Sequence, residues 1–96
     1  MKLVISDEAL AALEHQIQYI RSTGRPQSAR EQYDRVFTFL TETLLLTPGN
    51  GRYIPDADIW ETHISGTRLI VWYTFDDQQL RVLNLWHGSQ DREREL

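Results

Sequence analysis

The sequence predicts an α+β fold in which an antiparallel helical hairpin packs on a mainly antiparallel four-stranded sheet, in the order β-α-α-β-β-β. Two neighbouring stretches carry apolar residues three and four positions apart, which is the spacing of one helix face. Four shorter stretches alternate large apolar residues with polar ones, as half-buried strands do. A chain of 96 residues is long enough for one modest core, so we expect a single domain over residues 1–96.

Residues 1–5 are predicted to form the first strand, with Leu3 and Ile5 on one face. Ser6 follows as a residue that caps helices, and the two acidic residues after it favour the positive end of a helix dipole. The first helix is expected to end near Gly24, because glycine adopts the left-handed conformation that closes many helices. Its apolar stripe consists of Leu10, Leu13, Ile17 and Ile20.

The second helix is predicted to begin with Pro26 in its first turn and to end within residues 47–51, which hold one proline and two glycines. Few residues join the two helices, so they must lie antiparallel and share their apolar faces. Their outer polar faces, which carry Glu14, Arg21 and Arg30, are predicted to be solvated. The apolar stripe of the second helix consists of Ala29, Tyr33, Val36, Phe37, Leu40 and Leu44.

Three strands are predicted after an irregular loop at residues 51–58. They cover residues 59–64, 68–75 and 80–87, and the first two are joined by a tight turn at Ser65 and Gly66 with positive φ. The face of the middle strand that is expected to meet the helices carries Leu69, Val71, Tyr73 and Phe75. Three tryptophans on neighbouring strands are expected to pack across one sheet face, where cross-strand aromatic pairs are stabilising: Trp60, Trp72 and Trp86.

The composition narrows the classes of function. The net charge is −4 and Lys2 is the single lysine, which disfavours direct nucleic-acid binding and favours a protein target. The chain has no cysteine, and its histidines do not form a ligand set at metal-binding spacing, so we expect no metal and no cofactor. No stretch approaches the ~20 apolar residues of a membrane span, and we expect a cytoplasmic protein without membrane contact.

The last third of the chain carries a recognisable pattern, and a shorter one ends the second helix. The matching positions are Arg68, Val71, Trp72, Tyr73, Asp76, Asp77, Leu85, His87, Gly88 and Asp91, together with Leu44, Pro48, Gly51 and Arg52. In residue types and in order this pattern resembles that of the ParE/RelE superfamily of bacterial toxin–antitoxin toxins, in its ParE-like branch. The resemblance covers nearly the whole chain and implies the ParE/RelE-like fold.

The resemblance also implies a function. A ParE-like toxin of a type II toxin–antitoxin module, a kind of module linked to plasmid stabilization, inhibits DNA gyrase by binding and is not an enzyme. Its implied partner is a cognate antitoxin, ParD-like or another small protein, in a toxin–antitoxin hetero-oligomer. The candidate target- or partner-binding residues are Arg68, Tyr73, Trp86, His87, Arg92, Tyr19, Tyr33 and Phe37.

Two other hypotheses stay open. In a RelE-like ribosome-dependent mRNA endonuclease, which acts without a metal, the site would comprise Arg68, His87, Glu61 and His63. Acidic residues at positions 56, 58 and 61 stand where that branch carries cations, which disfavours cleavage of a phosphodiester. For His87 the favoured interpretation is structural, as the end of a strand. The third hypothesis is a non-toxic domain that retains antitoxin binding as a regulatory partner.

Overall fold

The computed structural model describes residues 1–22 and 26–88 of the chain. Strand β1 (Lys2–Ile5) leads into helix α1 (Asp7–Ser22) and helix α2 (Pro26–Thr38), which continues as a π-helical segment at Phe39–Leu44. A short 3₁₀ turn at Pro48–Asn50 precedes strands β2 (Arg52–Ile54), β3 (Ile59–His63), β4 (Leu69–Phe75) and β5 (Gln79–His87). The α+β class and the order of the predicted elements are therefore confirmed. None of the helices in residues 1–22 and 26–88 is both long and apolar enough to cross a bilayer.

The sheet has five strands in the order β1-β5-β4-β3-β2, and only the β1–β5 pair is parallel. The predicted count of four strands is wrong, because residues 52–54 lie within a segment predicted to be an irregular loop. Strand β2 spans three residues between a glycine and a proline, too short for alternation to show in the sequence. It exists because Arg52 pairs with Glu61 and Ile54 with Ile59.

The main core lies between the helices and one face of the sheet. From the sheet it takes Leu69, Val71, Tyr73, Leu80, Val82 and Leu85, all buried, and Phe75 packs at its margin. The predicted assignment of the helix-facing side of β4 is therefore confirmed. Burial of so many aliphatic side chains is the main favourable term in holding the helices on the sheet.

The cap of α1 is the residue predicted from the sequence, but the first turn of the helix buries a different residue from the one predicted. The Ser6 hydroxyl accepts a hydrogen bond from the Ala9 amide at 3.0 Å and donates one to the Leu83 carbonyl at 2.8 Å, so it joins the start of α1 to β5. Ala9 is fully buried, whereas Leu10 is 39% exposed. The prediction that Leu10 belongs to the buried stripe is wrong, because the start of α1 turns Ala9 towards the sheet.

A smaller apolar cluster covers part of the opposite sheet face. It is built on Ile54, Ile59 and Trp72, with Trp86 and Leu83 packed against them. Trp72 and Trp86 are in contact, with ring centroids 5.1 Å apart. The prediction that all three tryptophans share one face is wrong, because Trp60 pairs with Tyr73 and lies on the side of the helices.

Candidate functional site

A cleft at one end of the helical hairpin brings together three of the predicted binding residues. Tyr19 of α1, Arg68 before β4 and His87 at the end of β5 line a cavity of about 280 Å³. Strand pairing places Leu69 opposite His87, and the Gly88 amide donates to the Arg68 carbonyl at 2.8 Å. The β4–β5 hairpin therefore fixes Arg68 beside His87, and α1 supplies the opposite wall.

His15 is a residue of this region that the sequence did not indicate. It lines a second small cleft together with Gln16, Tyr19 and His87. His15 and Tyr19 are four residues apart and so lie on one side of α1. That spacing was visible in the sequence, but the position of His87 against α1 was not.

The four residues of the endonuclease hypothesis do not form one site. Glu61 lies on the sheet face away from the helices, where it accepts hydrogen bonds from the Trp72 indole at 2.7 Å and from Arg52 at 3.3 Å. His63 lies on the same outer face and donates from Nε2 to the Thr67 carbonyl at 2.5 Å. Arg68 and His87 instead line the cleft against α1. In residues 1–22 and 26–88, no three His, Asp or Glu side chains are grouped so that they could hold a metal ion.

Tyr73 is not a surface residue, and its prediction as a partner contact is wrong. Its ring is fully buried, and its hydroxyl donates to the Pro48 carbonyl at 2.6 Å. Burial raises the pKa of the Tyr73 phenol above its usual value of 10.0, while a backbone hydrogen bond with Gly51 acts in the opposite direction. The side chain therefore joins the sheet to the loop that ends the helical region.

Trp86 and Arg92 complete the predicted set near the C-terminus. Trp86 is half-buried against Trp72 in the outer apolar cluster. Its indole nitrogen is shielded from solvent and has no hydrogen-bond partner within the described part of the chain. Arg92 lies outside the described residues, as does Asp91.

The other predicted contact residues lie on the helical hairpin. Tyr19 is 66% exposed and Tyr33 is 44% exposed, while Phe37 is half-buried with its ring centroid 4.6 Å from that of Tyr33. Tyr33 also lines a larger cleft between the two helices, of about 580 Å³. Two exposed arginines, Arg21 and Arg30, line this cleft although their positions were predicted to be merely solvated.

The comparisons with known proteins agree with this architecture. The family model of the ParE toxin of the type II toxin–antitoxin system parDE matches residues 3–92. Among solved structures, a chromosomal ParDE toxin–antitoxin system from P. aeruginosa matches with a TM-score of 0.76 and 13% identity, over 91% of this chain and 95% of that chain. At this identity the structural match concerns the fold. No curated protein sequence matches the chain.

The family match confirms the predicted resemblance, which covers nearly the whole chain. The chain belongs to the family of ParE toxins of type II toxin–antitoxin systems.

Proposed function

We propose that this ParE-type toxin inhibits DNA gyrase by binding to it and is neutralised by a cognate antitoxin in a hetero-oligomeric complex. The target comes from the resemblance to ParE proteins, and the antitoxin from membership of a two-component family. The protein acts in the cytoplasm, where its target is found. It works by occupying a surface of gyrase, as an inhibitor and not as an enzyme.

The observation that supports binding over catalysis is the separation of the endonuclease candidates. Cleavage of RNA without a metal needs a base, an acid and cations that converge on one phosphate. Here Glu61 and His63 lie on the outer sheet face, whereas Arg68 and His87 lie against α1. His63 contacts the Thr67 carbonyl at the margin of the cleft against α1, but the Glu61 carboxylate is turned to the outer face and held there by Trp72. The four groups therefore do not converge on one phosphate in this conformation.

The charges at the outer site also disfavour a phosphate substrate. The Glu61 carboxylate is held in place by a hydrogen bond from Trp72 and an ion pair with Arg52. Asp56 and Asp58 lie in the adjoining turn between β2 and β3, and both are exposed. A polyanion approaching this turn meets the exposed carboxylates of Asp56 and Asp58, which repel it at short range.

Induction of the chain in a bacterial host tests the proposal. We expect DNA breaks and the SOS response to precede any loss of translation, and co-expression of the antitoxin encoded beside the chain to suppress both. Arg68→Ala is compared with Arg81→Ala, because both arginines are exposed and Arg81 lies far along β5 from the cleft. Toxicity lost only with Arg68→Ala supports a role for the cleft in target binding.

Other outcomes favour the other hypotheses. Loss of translation before DNA damage would favour the endonuclease. A chain that binds the antitoxin but causes neither effect would favour the non-toxic regulatory partner.

A further inference from the structure

The junction between the helical region and strand β2 holds the pair Asn50–Gly51. The chain has two asparagines, Asn50 and Asn84, and only Asn50 is followed by glycine. An asparagine side chain loses its amide when the backbone nitrogen of the next residue attacks it, and a following glycine hinders that attack least because it has no Cβ. Asn50 is exposed and ends the 3₁₀ turn. The pair therefore has the chemistry of a spontaneous deamidation site.

The reaction needs only water as a second reactant. The Gly51 nitrogen gives its proton to solvent and forms a bond to Cγ of Asn50, while the bond from Cγ to Nδ2 breaks and Nδ2 leaves as ammonia with a proton from solvent. Water then opens the resulting cyclic succinimide. Opening at Cγ gives aspartate, and opening at the backbone carbonyl carbon gives isoaspartate, whose main chain runs through Cβ and Cγ. No atom is oxidised or reduced.

The fold holds the attacking nitrogen in contacts that oppose this reaction. The Gly51 amide donates a hydrogen bond to the Tyr73 hydroxyl, which in turn donates to the Pro48 carbonyl at 2.6 Å. The hydroxyl is so close to Gly51 that a Cβ there would overlap it, and the Glu61 carbonyl lies 3.0 Å from the same point. The Tyr73 ring is fully buried, so these groups cannot move apart without disturbing a close-packed core.

Ring closure is incompatible with these contacts. An amide that donates a hydrogen bond gives up its proton less readily, because the bond stabilises the protonated form. Without that proton, the Gly51 nitrogen would face the phenol oxygen of Tyr73 with a lone pair against a lone pair. The Asn50 backbone is held as well, because its own amide donates to the Thr47 carbonyl at 3.1 Å.

We propose that Asn50–Gly51 is a deamidation site that the Tyr73 hydroxyl protects in the folded chain. Local opening of the junction releases the Gly51 amide and allows the reaction to start. Isoaspartate at position 50 lengthens the main chain by a methylene group next to Gly51, which is tightly enclosed, so the junction cannot close again as before. Because the ammonia is lost to solvent, modified chains accumulate with time.

The test follows deamidation of the purified chain in mildly alkaline buffer by mass spectrometry. Trypsin releases residues 36–52 and 82–92 as separate peptides, because an arginine precedes and ends each of them, so Asn50 and Asn84 are measured independently in one sample. Chromatography separates aspartate from isoaspartate. Tyr73→Phe removes the protecting hydroxyl. Val71→Ala is its matched control, since Val71 is equally buried on the same strand and its truncation also destabilises the fold.

We expect Asn50 to react more slowly in the folded wild type than in wild type unfolded in urea, and Asn84 to react little in either because a leucine follows it. Tyr73→Phe should accelerate the reaction of the folded chain by ~5- to 10-fold, the factor that corresponds to the loss of one hydrogen bond. Val71→Ala should stay within about twofold of the wild type, because a lower global stability does not by itself change a local opening. In urea all three chains should react at the same rate.

Two further measurements do not depend on Tyr73→Phe being well folded. Hydrogen exchange of the Gly51 amide in the wild type should be slow, because the amide is bonded to a buried group. The separated isoaspartate form should unfold at a lower urea concentration than the Asn50→Asp variant, which carries the same charge on an unchanged main chain.

Several results would overturn the inference. If Asn50 does not react even in urea, or reacts as fast in the folded wild type as in urea, the site or its protection does not exist. If Tyr73→Phe and Val71→Ala accelerate the reaction equally, or neither does, the Tyr73 hydroxyl is not the protecting group. Fast exchange of the Gly51 amide in the folded wild type would also contradict it. None of these outcomes bears on the proposed function, which concerns other residues.

Discussion

The hydroxyl of Tyr73 connects the sheet to the loop that ends the helical region, and it leaves no space for a side chain at Gly51. The hydroxyl donates to the Pro48 carbonyl at 2.6 Å, across 25 positions of sequence. Gly51 lies against the same oxygen so closely that a Cβ at position 51 would overlap it and come within 3.0 Å of the Glu61 carbonyl. The φ of Gly51 is −80°, which any residue adopts, so glycine is needed here for space alone.

Two substitutions and their combination test this arrangement. Tyr73→Phe leaves the partly buried Pro48 carbonyl without its donor and should cost ~1–2 kcal/mol. Gly51→Ala forces the loop away from the phenol and should cost ~1–3 kcal/mol, the range for overpacking. In the double variant the phenol oxygen is gone, so the closest contact is relieved, and the contacts with the Glu61 carbonyl at 3.0 Å and with the ring carbon Cζ of residue 73 at 3.2 Å remain. We therefore expect the double variant to be less destabilised than the sum of the single variants by ~1 kcal/mol or more.

The measurement is the free energy of unfolding from urea denaturation, followed by circular dichroism and by tryptophan fluorescence. If the slope of the unfolding free energy against urea concentration is the same in all variants, their native and unfolded states are comparable. Effects that add within ~0.5 kcal/mol would show that Gly51 and the Tyr73 hydroxyl do not compete for space. A Gly51→Ala variant as stable as the wild type would show that position 51 has room for a Cβ.

Two further predictions concern stability. Val71 is fully buried on the helix-facing side of β4, so Val71→Ala should cost ~1–3 kcal/mol and Val71→Asp should abolish cooperative unfolding; an unmoved urea midpoint would contradict this. Asp76 accepts hydrogen bonds from the Gln78 and Gln79 amides, which lower its pKa below the usual 3.8. Because the folded pKa is the lower one, this stabilisation is present above the unfolded pKa and is lost as pH falls through the folded pKa. The stability difference between wild type and Asp76→Asn should therefore shrink below about pH 4, and a pH-independent difference would refute it.

The elements of the fold could be predicted from the sequence because their periodicities are local. The face that each residue occupies depended on strand register, which is not local. Trp60 is opposite Tyr73 and not Trp72, so it lies on the helix side of the sheet. On β5 the partner of Trp72 is Asn84 and that of Tyr73 is Val82, so the strand carries a one-residue bulge at Leu83. Such a bulge reverses the alternation of faces, and no turn residue signals it.

The candidate site was predicted in part for the same reason. Arg68 and His87 were identified from their places in a pattern, and Tyr19 as a residue at the rim of an apolar helix stripe. That all three line one cleft depends on how α1 lies across β5, a matter of packing that one sequence does not specify. Tyr73 was misjudged because its hydroxyl has a hydrogen-bond partner in the Pro48 carbonyl, which only the folded loop provides.

Titration against DNA gyrase distinguishes the proposed inhibition by occupancy from catalysis. Purified chain is added to a fixed amount of gyrase in a supercoiling assay, and in parallel to a translating extract with a large excess of message. If the toxin acts by occupancy, supercoiling inhibition should saturate near equimolar toxin and target while the message stays intact. Message cleavage by substoichiometric toxin, abolished by Arg68→Ala or His87→Ala with gyrase unaffected, would contradict it.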